Sequence, residues 1–166
     1  MEPSSTAGPM DSTVLMARYD RELDRKETLN GAVSLPVTIL AVLGGVIATI
    51  ARDFAYGWEG LQVAFVLALA VYVACTGHCL YWLARNYGGS TYHLLPTLEA
   101  LDEVLGRLQA EVFEQYFRVA IIEAADANAS VNEARMAYID RANQTLVAVL
   151  VSTAFCGGLY VVSKIV

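Results

Sequence analysis

Asn128, Asn132, Arg135 and Ile139 follow one another at intervals of four, three and four residues, so a helix through them carries all four on one face. Two amides and a guanidinium on such a stripe have two possible uses. They can bind an anionic ligand, or they can lock neighbouring helices together through hydrogen bonds. Arg107 and Arg118 lie upstream in an otherwise acidic stretch, most of which reads as a solvated face, and stand as further candidates for an anionic ligand. Cys75, His78 and Cys79 also share a helical face, the spacing that can present zinc ligands together. No fourth ligand stands nearby, and thiolates inside an apolar run are costly, so the cysteines read as small apolar side chains and no metal is expected.

Other polar residues stand inside apolar runs, namely Gln62, Thr76 and His78 in one and Thr145, Ser152 and Thr153 in another. In hydrocarbon such groups need partners, so they are expected either to line a pore or to face another helix. Gly44-Gly45 and Gly157-Gly158 offer small faces for close helix approach, or hinges. No nucleophile with an adjacent base, no paired carboxylates and no cofactor loop appear. The sequence therefore points away from an enzyme, and no cofactor is expected.

The elements that must position these residues are set by composition. Of 166 residues, 56% are hydrophobic, and the mean hydropathy of +0.46 is too apolar for an ordinary soluble fold. Three apolar segments, 31–51, 61–84 and 145–162, each approach the ~20 residues a helix needs to cross a hydrocarbon layer of ~30 Å. The expected fold is an all-α membrane protein with three transmembrane helices. Residues 1–10 read as a disordered tail and 11–30 as an amphipathic helix with Val14, Leu15, Tyr19 and Leu23 on its apolar face.

Arg18, Arg21, Arg25 and Lys26 precede the first span, Arg52 stands alone between the first two, and Arg85, Arg107, Arg118, Arg135 and Arg141 follow the second. Basic loops stay in the cytoplasm, so the N-terminus and residues 85–144 are expected inside and the C-terminus outside. From Pro96 onward the pattern is helical, with Leu98, Leu101, Leu105, Leu108 and Val112 on one stripe and Phe113, Tyr116 and Phe117 extending it. Only Gly106 weakens this run by composition, and an unbroken rod of it would measure roughly 90 Å. The alternative is a hairpin at Asp126-Ala-Asn-Ala-Ser130, where short polar side chains compete for the backbone. "YGGSTYHLLP" reads as a turn. A net charge of -6 argues against a general nucleic-acid binder, although a local cationic pocket stays open.

The succession of "LPVTILAVLGGVIATIA", "LQVAFVLALAVYVACTGHCLYWLA" and a polar helix with "NEARMAYIDRANQ" running into the last span resembles small bacterial anti-phage membrane effectors. These are the SLATT-type effectors and the membrane effector of the Hailong system. The resemblance implies a homo-oligomer, a tetramer in the first instance, acting on the lipid bilayer of the bacterial inner membrane. It also implies a pore or membrane-disrupting activity in abortive infection, controlled by a nucleotide or single-stranded DNA oligomer from a partner nucleotidyltransferase. The expected function is such a ligand-controlled ion channel. The competing expectation is a non-conducting membrane adaptor that recruits a cytoplasmic partner.

Overall fold

The computed structural model describes residues 12–88, 91–106 and 109–165, and within these leaves aside the side chains of residues 98, 102, 104, 105 and 110. It is all-helical, with no strand among the described residues: α1 is Ser12–Ala32, α2 Ser34–Asp53, α3 Gly60–Tyr87, α4 Leu98–Leu105 and α5 Ala110–Ile165. The expected disordered tail over 1–10 falls outside the described residues. Three helical stretches are long and apolar enough to cross a membrane, Ser12–Asp53, Gly60–Tyr87 and Glu111–Ile165. The chain divides into two compact units, residues 1–28 with 90–134, and residues 29–89 with 135–166.

The second unit contains the apolar parts of α2, α3 and α5. α1 gives way to α2 at Val33, two residues beyond the Gly31 expected from the hydropathy pattern. Pro36 accounts for the position of the junction: its nitrogen carries no hydrogen for the carbonyl one turn back. Val33 nevertheless keeps helical dihedrals, φ −78° and ψ −25°, and the Ser34 hydroxyl donates to Gly31 O at 2.8 Å. At the other end of α2, Phe54 stacks on Phe65 with centroids 3.8 Å apart, and Tyr56 meets both rings edge-on. A capping box opens α3: the Glu59 side chain accepts from the Gln62 N–H, and Gln62 Oε1 accepts from the Glu59 N–H at 3.2 Å. A Cβ at Gly57 would lie 2.0 Å from Gln62 Oε1, so a side chain there would displace the Gln62 amide from its capping position.

Phe65, Ala68, Tyr72, Cys79 and Leu83 of α3 meet Ile139, Ala142, Leu146, Val149 and Cys156 of α5. Both sets advance largely by threes and fours, the seam spacing of paired helices. Small residues bring the backbones close: the Cys79 thiol donates to Ala142 O at 3.3 Å. The outward faces are strongly apolar, with Leu67 62%, Val147 60% and Val151 65% exposed. In water such a surface would be an aggregation liability, whereas hydrocarbon solvates it.

The first unit has a smaller core, Leu15 and Tyr19 of α1 against Ile121, Ala124 and Ala125 of α5, with Met16, Leu23, Leu95 and Phe117 at its edge. Val14 departs from the expected apolar face of α1 and is 55% exposed, because the buried stripe is set by Leu15 and Tyr19 one turn apart. Thr97 caps α4, its hydroxyl accepting from the Ala100 N–H at 3.3 Å. The leucine stripe expected to continue through one helix is interrupted: α4 ends at Leu105, Gly106 lies in a turn, and α5 starts at Ala110. Beyond that start α5 is unbroken for 56 residues, straight through Asp126–Ser130, where the hairpin alternative had its turn.

Candidate functional site

Helix formation through Asp126–Ser130 is supported by contacts from outside the segment. The Asn128 amide, which favours a turn when it folds back on its own backbone, is occupied elsewhere. Its Oδ1 accepts from the His93 N–H at 2.8 Å and its Nδ2 donates to His93 O at 3.0 Å. The side chain thus pairs with the main chain of His93 as a neighbouring strand would. One turn on, Asn132 Oδ1 accepts from the Tyr92 hydroxyl at 2.6 Å, while its Nδ2 donates to the Glu22 carbonyl and carboxylate at 2.8 and 3.0 Å. Lys26 lies 4.6 Å over the Tyr92 ring, and the Leu95 N–H donates to the Tyr19 hydroxyl. The "YGGSTYHLLP" turn is therefore continued, over residues 91–97, by a non-helical strap pinned to α1 and α5. Pro96 is the sequence signal for it, since a residue before proline is driven away from helical dihedrals.

Arg135 belongs to the other unit. It is buried, with Nε donating to Asn86 Oδ1 at 3.1 Å and a terminal nitrogen to Asn30 Oδ1 at 2.6 Å. Asn86 has no exposed surface, and its Nδ2 lacks a partner. The sequence reading did not single out Asn86 or Asn30. Asn86 could have been found by continuing the buried spacing of Cys79 and Leu83 one step further along α3. Asn128, Asn132 and Arg135 thus do share a helix face, and the structure turns that face inward. Of the two uses left open for the stripe, the hydrogen-bond lock is the one these contacts make. A solvent-facing anion site is not: Asn128 and Asn132 are fully buried and committed to other groups of the chain.

Arg118 pairs with Glu114 at 2.7 Å in a hollow lined also by Glu111 and Gln115, a poor environment for an anion. Arg107 lies outside the described residues.

The candidate pore residues divide by how their polar atoms are satisfied. Thr145 donates to Arg141 O at 2.8 Å, Ser152 to Val149 O at 2.9 Å and Thr153 to Val149 O at 2.8 Å, so these hydroxyls are held by their own helix. Gln62 is engaged in the cap of α3 and so sits at the end of that helix rather than along it. Thr76 Oγ1 is buried without a partner. His78 is exposed, its Nε2 accepting from the Trp82 indole N–H at 3.0 Å. Cys79 is buried on the seam while His78 faces outward, and no group of three metal-ligating side chains converges among the described residues.

An apolar groove of about 790 Å³ runs along α3 and α5, lined by Ala64, Ala68, Val71, Ala148, Ser152 and Phe155 among others. Gln144 and Cys75 line both this groove and an adjoining hollow of about 460 Å³ that holds His78 and Thr145. Gln144 is exposed there, its amide making no hydrogen bond among the described residues, and the sequence reading missed it although it stands at the polar-to-apolar junction of α5. Among the described residues no steric contact inside the chain demands glycine at either pair. A Cβ on Gly44 would stand 3.9 Å from the Tyr72 hydroxyl, and one on Gly45, Gly157 or Gly158 would meet nothing within 4 Å. α5 passes through Gly157-Gly158 as regular helix.

No family model, curated protein or solved structure matches the chain.

Proposed function

We propose that the protein is an oligomeric membrane effector whose spanning unit conducts ions or disrupts the bilayer under control of its other helical unit. One observation carries this reading. α5 is a single helix that holds the buried Asn128–Asn132 clamp in one part of its length and a membrane-compatible apolar segment in another. A ligand that favours one arrangement of the clamped strap over another would bias the spanning helices through that shared element, provided it binds the two arrangements unequally.

The distribution of Arg18, Arg21, Arg25, Lys26, Arg85 and Arg141 supports an N-terminus and clamped unit on the cytoplasmic side of a bacterial inner membrane. The groove along α3 and α5, with Gln144 unpaired beside it, supports a neighbouring copy of the chain at that face and a homo-oligomer, for which a tetramer is our working assembly. Control by a nucleotide or short single-stranded DNA in anti-phage defence rests on the resemblance of the helix arrangement alone.

Reconstitution into planar bilayers and dye-loaded liposomes tests the reading. Conductance steps or leakage that change on adding a nucleotide or DNA oligomer are expected; silence under both conditions sinks it. The adaptor reading is favoured by a separate observation. Val112, Tyr116 and Val119, 46 to 48% exposed, form an apolar stripe on α5 where a partner helix would fit. It predicts an electrically silent protein that loses its partner on Val112→Ser with Val119→Ser.

A further inference from the structure

Where the apolar part of α3 ends, an aromatic and cationic cluster joins it to α5. Trp82 stacks on Tyr138, with centroids 5.8 Å apart and planes inclined by 21°, and Tyr81 meets Trp82 edge-on. The indole N–H is fixed by His78. Arg141 lies with its guanidinium carbon 4.6 Å from the Trp82 centroid, and Arg85 lies 5.6 Å from that of Tyr138. Two guanidinium groups are thus seated on two stacked rings.

Their charge is unspent. Arg18, Arg25, Arg52 and Arg118 each pair with a carboxylate. Among the described residues neither Arg85 nor Arg141 does; both are exposed, and the nearby Asp140 makes no ion pair. A guanidinium that stacks through its π face keeps the N–H groups at its edge available for a phosphate.

The position relative to a bilayer follows from the opposite end of the same unit. There stand Trp58, 96% exposed, Tyr56, and Lys164 over the Tyr160 ring at 5.3 Å. From Gly60 to Trp82 a helix rises about 33 Å, and from Arg141 to Tyr160 about 29 Å, close to the ~30 Å of a hydrocarbon layer. Both ends therefore carry the aromatic belts found at membrane interfaces. They differ in the number of unpaired cations: at the Trp58 end Arg52 is paired with Asp53 and Lys164 Nζ keeps its charge while donating to the neutral Asp53 O at 3.3 Å, whereas the other end presents two unpaired arginines.

We infer that Arg85 and Arg141, held on Tyr138 and Trp82, bind phosphodiester headgroups of anionic phospholipids in the leaflet at that end. The inference rests on the membrane-spanning reading and makes the α3–α5 junction a lipid-recognition site. The aromatic rings lie at headgroup depth, the guanidinium edges take the phosphate oxygens, and the net positive charge of the pair selects an anionic over a zwitterionic lipid.

The test uses the full chain with Trp58→Phe, which leaves Trp82 as the sole tryptophan. It is reconstituted into phosphatidylcholine vesicles in which a fixed fraction of lipid is either brominated phosphatidylglycerol or brominated phosphatidylcholine. Stronger quenching of Trp82 by the brominated phosphatidylglycerol is expected. That preference should weaken about fivefold in Arg85→Gln and again in Arg141→Gln, the factor corresponding to ~1 kcal/mol per basic residue at an anionic surface. It should also fall as salt rises in the variant with both arginines intact.

Equal quenching by the two lipids, or a salt-independent preference, overturns the proposal while leaving the spanning reading intact. Absence of quenching by either lipid removes Trp82 from the bilayer and overturns both. Soluble glycerol phosphate added to the detergent-solubilised protein is the remaining arm. An emission change there that depends on both arginines would make this a free-phosphate site and overturn the lipid assignment.

Discussion

Asn128 shows how much one buried amide can decide. Its two hydrogen bonds go to the main chain of a residue 35 positions away, so losing them strands the His93 N–H and carbonyl rather than a side chain with somewhere else to turn. His93 is exposed and its bonds to Asn128 are part-buried, so water can replace the lost partner and the net worth of such a bond, about 0.5–1.5 kcal/mol, applies. Asn128→Leu is therefore expected to speed amide hydrogen exchange at His93 by roughly two- to tenfold. Asn128→Asp should act in the same direction, since a carboxylate cannot donate to the carbonyl. Asn143→Ala, at an exposed position of the same helix, serves as the control and should leave His93 unchanged. Equal protection in all three proteins would show that the strap is held by something other than this amide. Arg135 illustrates the complementary case: a guanidinium buried among the amides of Asn86 and Asn30 makes the polar stripe a structural lock.

Among the elements, α5 matters most, and the sequence revealed it only in part. Its apolar end was legible because a run compatible with hydrocarbon needs nothing but composition, and its buried spacing of threes and fours is plain in Ile139, Ala142, Leu146 and Val149. Its continuity through Asp126–Ser130 was not legible. Local propensity favours a turn there, and the competing bonds come from His93, far away in sequence. The same non-locality hid the strap at residues 91–97. It also hid the role of Gln62, whose polar side chain caps α3 through contacts that hydropathy does not register. The pairing of helices about Cys79 and Ala142 depends on small side chains, and many other alanines in the chain look the same. If α5 transmits control, the junction of Gln144 and Thr145 is where it can be interrupted. Inserting two glycines after Gln144 should leave conductance or leakage in place but make it independent of any ligand that regulates the intact protein, as read from dose–response curves of both. A regulated response surviving the insertion would reduce the helix to an anchor.

For the whole molecule, the proposed membrane-spanning reading leaves the outward faces of the second unit to be covered by lipid or by another copy of the chain. Hydrocarbon can solvate Leu67, Val147 and Val151, but it offers nothing to Gln144, and the groove between α3 and α5 has room for a neighbouring helix. Ala148 is exposed within that groove, so Ala148→Phe fills the space without disturbing the buried seam. If the proposed homo-oligomer forms through this groove, light scattering of the detergent-solubilised protein should show the intact chain as an oligomer and the variant shifted toward monomer, with helical content unchanged. An unaltered mass would move the subunit contact to another face. The belts at the two ends of this unit carry one more consequence. Trp58 and Trp82 bracket a single rigid helix, so the distance between the belts cannot adjust to its surroundings. In a thinner or thicker lipid layer the mismatch must be absorbed by tilt or by deformation of the lipid, at fractions of a kcal/mol per Å. Membrane thickness then becomes a physical variable acting on the chain, able to favour one cellular membrane, or one tilt of α3 against its neighbours, without any ligand at all.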